Sequence, residues 1–376
     1  MTISIRKSTK SDRDIIIKVA DLAFEKSRDE SFEFRYPMLF DDKRINEYYL
    51  AEDDGKVVGL LGAYKIDLVV NNVSFKACGI GKVACLKEYR NKGVMTSLLM
   101  HAVSKMKKQN FDISYLWGER FRYANFGWVE GGETQSISFW QKKMAPLVSD
   151  DNVKVVTKND AKLVYKLLKN KFSYLAYSLK DIESAFDGKR LHGYRLNNSF
   201  VFWTYKKNEI IEALGDAKDI LKLANFCLFE SQKSDSKINT VDIETSKEAP
   251  ELLEVLANFA WVSRKKSSAN FRIINLKSFL EKFTKAVSFK LPKVSEELLI
   301  GSKEENIAFK LIVKNGEFSI KECDTKNAVM LNEKDLSEVF FGQFPLNAFL
   351  KDLPQNSVFR SVLPLTDLHI SKFYLL

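Results

Sequence analysis

The stretch Val83-Ala84-Cys85-Leu86-Lys87-Glu88-Tyr89-Arg90-Asn91-Lys92-Gly93-Val94-Met95-Thr96 decides how this chain is read. An apolar run turns at a basic segment that holds one glycine, and a helical pattern starts at once. Val94, Met95, Leu98, Leu99, Ala102, Val103 and Met106 recur at helical spacing, which predicts an amphipathic helix over 94–108. A strand that runs into a helix this way gathers unpaired N–H groups and the positive end of the helix dipole at one spot. That spot favours a pyrophosphate. Arg90 and Lys92 add positive charge, and Gly93 keeps a Cβ out of the phosphate's path.

Outward from this segment, residues 1–140 alternate short strands and helices. Ile3-Ser4-Ile5-Arg6 alternates as a half-buried strand does, and Ser11 with Asp14 offers a helix cap before the stripe Ile15, Ile16, Val19, Ala20, Ala23. Asp53-Asp54-Gly55 between Tyr48–Glu52 and Val57–Tyr64 signals a hairpin, and Asn71-Asn72 a second turn before a strand over Phe75–Leu86. Phe111–Trp117 reads as a strand. Residues 151–269 mix helices (160–170, 179–186, 217–229, 249–259) with strands (199–204, 210–214), and Ser231–Lys237 reads as an exposed turn. The last hundred residues place a helix near 276–283, strands at 297–301, 306–314, 317–322 and 328–331, and a helix near 333–340.

Arg90-Asn91-Lys92-Gly93-Val94-Met95 resembles the acetyl-CoA loop of the GNAT acetyltransferases, Arg/Gln-x-x-Gly-x-Gly/Ala, with Met95 in place of the final small residue. Tyr123-Ala124-Asn125-Phe126-Gly127-Trp128 is similar to the Tyr-Gly-Arg-Phe-Gly-Tyr segment of the Eis-like (enhanced intracellular survival) branch. Residues 151–269 lack the loop pattern, as a degenerate second copy would. The resemblance implies an α+β chain: tandem GNAT acyltransferase domains followed by a sterol-carrier-protein-like α+β domain, with boundaries at 1–148, 149–269 and 270–376. It implies an N-acetyltransferase that moves acetyl from acetyl-CoA, as co-substrate, to an amine by direct transfer. Tyr123 stands where the family places its general acid, and the C-terminal carboxylate of Leu376 where it places its general base. Val83 and Cys85 would offer backbone amides to the pantetheine and thioester, and Arg90, Asn91, Lys92, Gly93, Met95 and Thr96 would line the loop.

The chemistry is coherent by itself. An ammonium must lose a proton before it can attack a thioester, and the departing thiolate must gain one. The acceptor side is read from Asp29-Glu30-Ser31-Phe32-Glu33-Phe34-Arg35-Tyr36, where carboxylates among rings suit a cationic amine on a small molecule or a lysine side chain. Glu33 is the acidic candidate there, and Glu119, after Trp117-Gly118, is a second.

Composition bounds the alternatives. The 376 residues are 45% hydrophobic and 29% charged, enough for two or three cores. Lys and Arg exceed Asp and Glu by 59 to 49, but the longest basic block is Arg264-Lys265-Lys266. A spread excess of this kind argues against a specific nucleic-acid interface. The polar start is no secretory signal, and no apolar run suits a membrane span. Cys78, Cys85, Cys227 and Cys323 form no C-x-x-C pair, so buried thiols in a reducing cytoplasm are expected. Cys85 in an apolar strand reads as inert, and His101, His192 and His369 show no metal-ligand spacing, so no metal is expected. The competing function is a binding protein whose transferase machinery has decayed, its sterol-carrier-like domain holding an apolar ligand or a partner. A homo-oligomer is compatible with the family.

Overall fold

The structure is a computed structural model and describes residues 3–27, 30–143, 152–188, 192–204 and 208–371. In chain order the first elements are β1 (Ile3–Lys7), α1 (Arg13–Ala23), α2 (Phe32–Arg35), β2 (Tyr48–Asp53), β3 (Lys56–Lys65), β4 (Leu68–Val70), β5 (Val73–Phe75), β6 (Ala77–Cys85), α3 (Val94–Lys108), β7 (Ile113–Leu116), α4 (Arg120–Tyr123), β8 (Val129–Gly131) and β9 (Thr134–Trp140). They continue as β10 (Lys154–Val155), α5 (Ala161–Lys169), β11 (Ser173–Leu175), α6 (Leu179–Ala185), β12 (His192–Leu196), β13 (Ser199–Thr204), β14 (Glu209–Leu214), α7 (Ala217–Ser234), β15 (Thr240–Thr245), α8 (Pro250–Ala257) and β16 (Ala260–Lys266). The last are β17 (Ala269–Ile273), α9 (Leu276–Val287), β18 (Ser295–Ser302), β19 (Ile307–Lys314), β20 (Glu317–Cys323), β21 (Val329–Leu331) and α10 (Glu333–Phe341).

Local chemistry explains most of these bounds. Asp54 and Gly55, at φ 48° and 77°, close the β2–β3 hairpin, and Asn71 and Asn72, at 46° and 64°, close β4–β5. Both turns need left-handed central residues, which Asp, Asn and Gly tolerate. The cap before α1 lies earlier than the Ser11–Asp14 spacing suggests. Thr9 and Asp12 form the capping box, with the Thr9 amide donating to the Asp12 carboxylate at 2.8 Å, and Ser11 and Asp14 do not. Arg6 on β1 settles the choice by gripping both oxygens of Asp12 at 2.7 and 2.8 Å. Helix α7 runs on to Ser234, through the start of the expected turn at 231–237, because Leu228 and Ser231 remain buried on it.

The described strands form four sheets. The first runs β1-β2-β3-β6-β7-β17-β8. Helix α1 packs on β3 and β6 from one side and α3 on β2, β3 and β6 from the other. Strands β6 and β7 are parallel only from Ala77–Ile113 to Ile80–Leu116. Beyond Ile80, β6 continues to Cys85 against β3 alone, so its other edge opens into a cleft.

The second sheet runs β10-β12-β13-β14-β15-β9-β16 and repeats the first position by position. Its parallel pair β14–β15 also meets over a short length, Glu209–Asp242 and Ile210–Ile243, and then parts. The two sheets exchange a strand. β9 leaves β8 and inserts antiparallel between β15 and β16, while β17 leaves β16 and inserts between β7 and β8. The second sheet thus takes β9, which precedes residue 148, and the first takes β17, which begins at residue 269. A short third sheet, β11-β4-β5, ties the units further, as does the buried Arg44, which bonds Glu47 at 2.8 Å and Asp181 at 3.4 Å.

The C-terminal unit carries the sheet β20-β19-β18-β21 with α9 and α10. Helix α10 packs on β8 and β17 at the end of the first sheet. Phe271 of β17 stacks on Phe341 of α10 at 5.0 Å, and Phe279, Phe283 and Phe340 extend that core. No helix among the described residues is long and apolar enough to cross a membrane.

Candidate active site

The free edge of β6 and the start of α3 meet at one place. Gly93 precedes the first turn of α3 at φ 78°, and no side chain caps that turn. The first intrahelical bond comes from the Ser97 amide to the Gly93 carbonyl, so the amides of Val94, Met95 and Thr96 point out of the helix start. A Cβ placed on Gly93 would meet nothing within 4 Å, so the side of Gly93 away from the chain is open. Glycine is demanded here by its left-handed φ, not by crowding. The neighbouring Asn91 is also left-handed, at 62°.

The other loop residues divide. Asn91, Lys92 and Thr96 are exposed, and the Lys92 ammonium sits 5.2 Å from the Tyr89 ring centre. Arg90 is held elsewhere: its guanidinium donates to the Ala23 carbonyl at 2.7 Å, a cation at the C-terminal end of α1. Met95, Val83, Cys85 and Tyr123 converge on the apolar cluster that contains Val94, Leu98 and Leu116. Val83 and Cys85 lie on the stretch of β6 that β7 no longer pairs, so their backbone groups border the cleft. Burial pushes the Cys85 thiol above its ordinary value, which suits an inert side chain.

Tyr123 stands across the cleft, at the end of α4. Its ring lies on Gly118, where a Cβ would collide with it. Burial raises its hydroxyl above the usual tyrosine range, so it stays protonated at neutral pH. Tyr48, Tyr64, Tyr115 and Tyr177 are raised too, but they are fully buried core residues. Tyr123, like Tyr49 on β2 and Tyr194 on β12, is raised but only partly covered, and its hydroxyl has no hydrogen bond among the described residues. The exchanged strand steadies this corner: Asn270 of β17 donates to the Gly118 carbonyl at 3.0 Å, and the Trp117 indole donates to the Ser268 carbonyl at 2.9 Å.

Other expectations fare differently. Glu33 is ion-paired with Arg13, and Glu119, exposed, lies 3.4 Å from Arg122. Leu376 lies outside the described residues. Gly118 and Lys82 escape a reading of the sequence alone. Gly118 carries no signal beyond following an aromatic residue, whereas Lys82 has one, a lone charge inside the apolar run Gly79-Ile80-Gly81-Lys82-Val83-Ala84.

The second unit's corresponding helix start is built differently. Asp216 caps α7, accepting from the amides of Lys218 at 2.9 Å and Asp219 at 3.0 Å. The parted edge of β14 is also in use, since the Ser371 hydroxyl donates to the Ile211 carbonyl at 3.3 Å. A helix start filled by carboxylates repels a diphosphate.

Residues 4–130 match the family described as an acetyltransferase (GNAT) domain. The chain carries a GNAT acetyltransferase domain. The open helix start at Gly93, the parted β6–β7 pair and Tyr123 all fall inside it. Over the whole length the fold is similar to a GCN5-related N-acetyltransferase from Kribbella flavida, with 16% identity, 98% of this chain and 99% of that one covered, and a TM-score of 0.71. A probable N-acyltransferase from Enterococcus faecalis V583 is 15% identical with the same coverage and a TM-score of 0.74. Eis1 from Mycobacterium abscessus is 10% identical, covers 97% of this chain and 100% of its own, and has a TM-score of 0.66. At these identities the likeness is one of fold. No curated protein matches the sequence.

Proposed function

We propose that the chain is an Eis-like N-acetyltransferase that passes acetyl from acetyl-CoA directly to a primary amine. The observation that carries this reading is the uncapped start of α3 at Gly93, open on the side away from the chain, with the unpaired edge of β6 beside it. The diphosphate of the co-substrate fits the amides of residues 94–96, with Lys92 close by. The pantetheine fits the β6 edge, where the amides of Val83 and Cys85 are the groups to orient the thioester and take up charge on its carbonyl oxygen.

The amine gives a proton to a base and attacks the thioester carbon. A C–N bond forms, the C–S bond breaks, and the thiolate takes the Tyr123 proton. The C-terminal carboxylate of Leu376 is the proposed base, on the strength of the family resemblance. The pattern of a working first unit, a closed second unit and a sterol-carrier-protein-like C-terminal unit belongs to the same proposal, as does a cytoplasmic location. Whole-length likeness to the fold of Eis1 supports it.

Thiol release from acetyl-CoA in the presence of a panel of primary amines tests the transfer. Deleting Leu375-Leu376 should abolish turnover and leave acetyl-CoA binding intact. A chain that binds acetyl-CoA but consumes it with no amine would instead be a decayed binding protein.

A further inference from the structure

Tyr123 sits on an element too short to hold itself. Helix α4 has four residues, and Ala124–Phe126 continue it as a single 3-10 turn. So short a helix has almost no internal hydrogen bonds to fix it, and its direction is set by what grips it from outside. The gripping groups come from a distant part of the chain. Arg120, three residues before Tyr123, reaches the Glu338 carboxylate of α10 at 3.5 Å, and its guanidinium lies 4.6 Å from the Phe344 ring centre. At Phe126, three residues after Tyr123, the Arg272 guanidinium donates to the carbonyl, and Arg272 is itself paired with Glu333 of α10.

These contacts carry a cost. Glu338 is 3% exposed and Arg272 6%, so each brings a charge into the interior. Burial pushes the Glu338 carboxyl above its ordinary value and the Arg272 guanidinium below its own. Gly342 makes room for the Glu338 carboxylate, since a Cβ there would collide with it. Arg272 also packs on Gly127 and sits 5.2 Å from the Trp128 ring centre, which pins the turn after Phe126. Glu333 reaches further, because it pairs with Lys107 of α3 as well. Between α3 and the start of α10 lies an open groove of about 770 Å³, with Met100 and Val103 on one wall and Lys334 on the other, so charge rather than close packing spans that gap. In the second unit α8 follows β15 as α4 follows β7. It packs on α7, and neither Glu251 nor Glu254, its charged residues, makes an ion pair among the described residues.

We propose that α10 aims the general acid: Glu338 and Glu333 are positioning residues that clamp the segment on either side of Tyr123 and point its hydroxyl at the departing CoA sulfur. The inference rests on the transferase reading above and goes beyond it, because it makes the C-terminal unit a working part of the first unit's chemistry. One carboxylate fixes the start of the segment and the other its end, while Gly118 under the ring sets its depth. Through Lys107 the same clamp is tied to the helix whose start faces the diphosphate. Releasing either end lets the hydroxyl drift while the contacts to pantetheine and diphosphate remain. A misplacement of about 1 Å costs about a hundredfold in rate, so the loss falls on kcat.

The test uses the full chain. Glu338→Gln and Glu333→Gln keep the size of each side chain and remove its charge. Each should lower kcat by about tenfold or more, with the KM for acetyl-CoA within about twofold and the thermal shift on adding acetyl-CoA retained. In a Tyr123→Phe background the same changes should lower kcat no further, because they act through that hydroxyl. A kcat within about twofold of wild type overturns the role of that carboxylate, and so does a loss as large in the Tyr123→Phe background as in the wild type. Fluorine NMR of the chain with 3-fluorotyrosine placed at position 123 reads the clamp without turnover. Its resonance should shift or split in Glu338→Gln, and an unchanged spectrum overturns the inference. Absence of thiol release with every amine would sink the transferase reading alone and leave the fluorine spectrum to decide the clamp. Should Glu338→Gln fail to fold, Arg120→Met, on the solvent side of that pair with 39% of its side chain exposed, gives the same readouts.

Discussion

Replacing Gly93 by Asp copies onto the first unit the carboxylate cap that Asp216 gives α7 in the second. Nothing lies within 4 Å of the Cβ position, so the variant is not crowded, and its direct cost is the left-handed φ of 78°. Asp is among the residues that tolerate this conformation best, and the cost is about 1 kcal/mol. In a unit of about 150–250 residues melting on its own that lowers Tm by about 2–4 °C. The effect on the co-substrate is larger. A carboxylate about 4 Å from one phosphate charge in a half-solvated site opposes binding by on the order of 4 kcal/mol, close to a thousandfold in affinity. At a hundred times its Kd, acetyl-CoA stabilises the wild type by about 2.7 kcal/mol, roughly 5–10 °C in a thermal melt. Gly93→Asp should melt within a few degrees of wild type and show no shift with acetyl-CoA. Gly93→Ala, which adds only the backbone cost, should keep most of the shift. An undiminished shift in Gly93→Asp would refute the placement of the diphosphate at the start of α3.

Tyr123→Phe should lower kcat by about 100-fold or more with little change in the KM for acetyl-CoA, measured by thiol release. Gly118→Ala, which displaces the Tyr123 ring without touching its hydroxyl, should give a loss of kcat in the same direction. Because burial raises the Tyr123 hydroxyl, its acid form persists at neutral pH and fails only as pH climbs past the ordinary tyrosine range near 10; the alkaline fall of kcat should begin above that point and vanish in Tyr123→Phe. The Asp216 cap predicts one acetyl-CoA per chain by calorimetric titration, two being the contrary result. Asp216→Ala should cost about 1 kcal/mol of stability.

Much of this architecture is written in local chemistry. Helix α3 is legible to both ends, because its apolar stripe and the preceding Gly93 act over a few residues. The same holds for the Asp54-Gly55 and Asn71-Asn72 turns, whose left-handed residues impose their geometry wherever they stand. The cap at Thr9 is easily misread because Ser11-Asp14 offers similar spacing, and the choice is made by Arg6 on a separate strand. Lys82 stands out in the sequence as an oddity without an explanation, since the rings that surround its ammonium come from a segment about fifty residues away.

The sequence alone determined the strand–turn–helix that opens at Gly93, the apolar faces of the main helices, and the residue types available for acyl transfer, since periodicity and turn chemistry are properties of neighbours along the chain. Only the tertiary structure decided that β9 and β17 trade sheets, that Arg90 serves the end of α1, and that Tyr123 rests on Gly118 against the cleft. A strand carries no mark of which sheet will pair with it, and a charged side chain none of which partner will reach it first. Those outcomes follow from burial and hydrogen bonding across long separations in sequence.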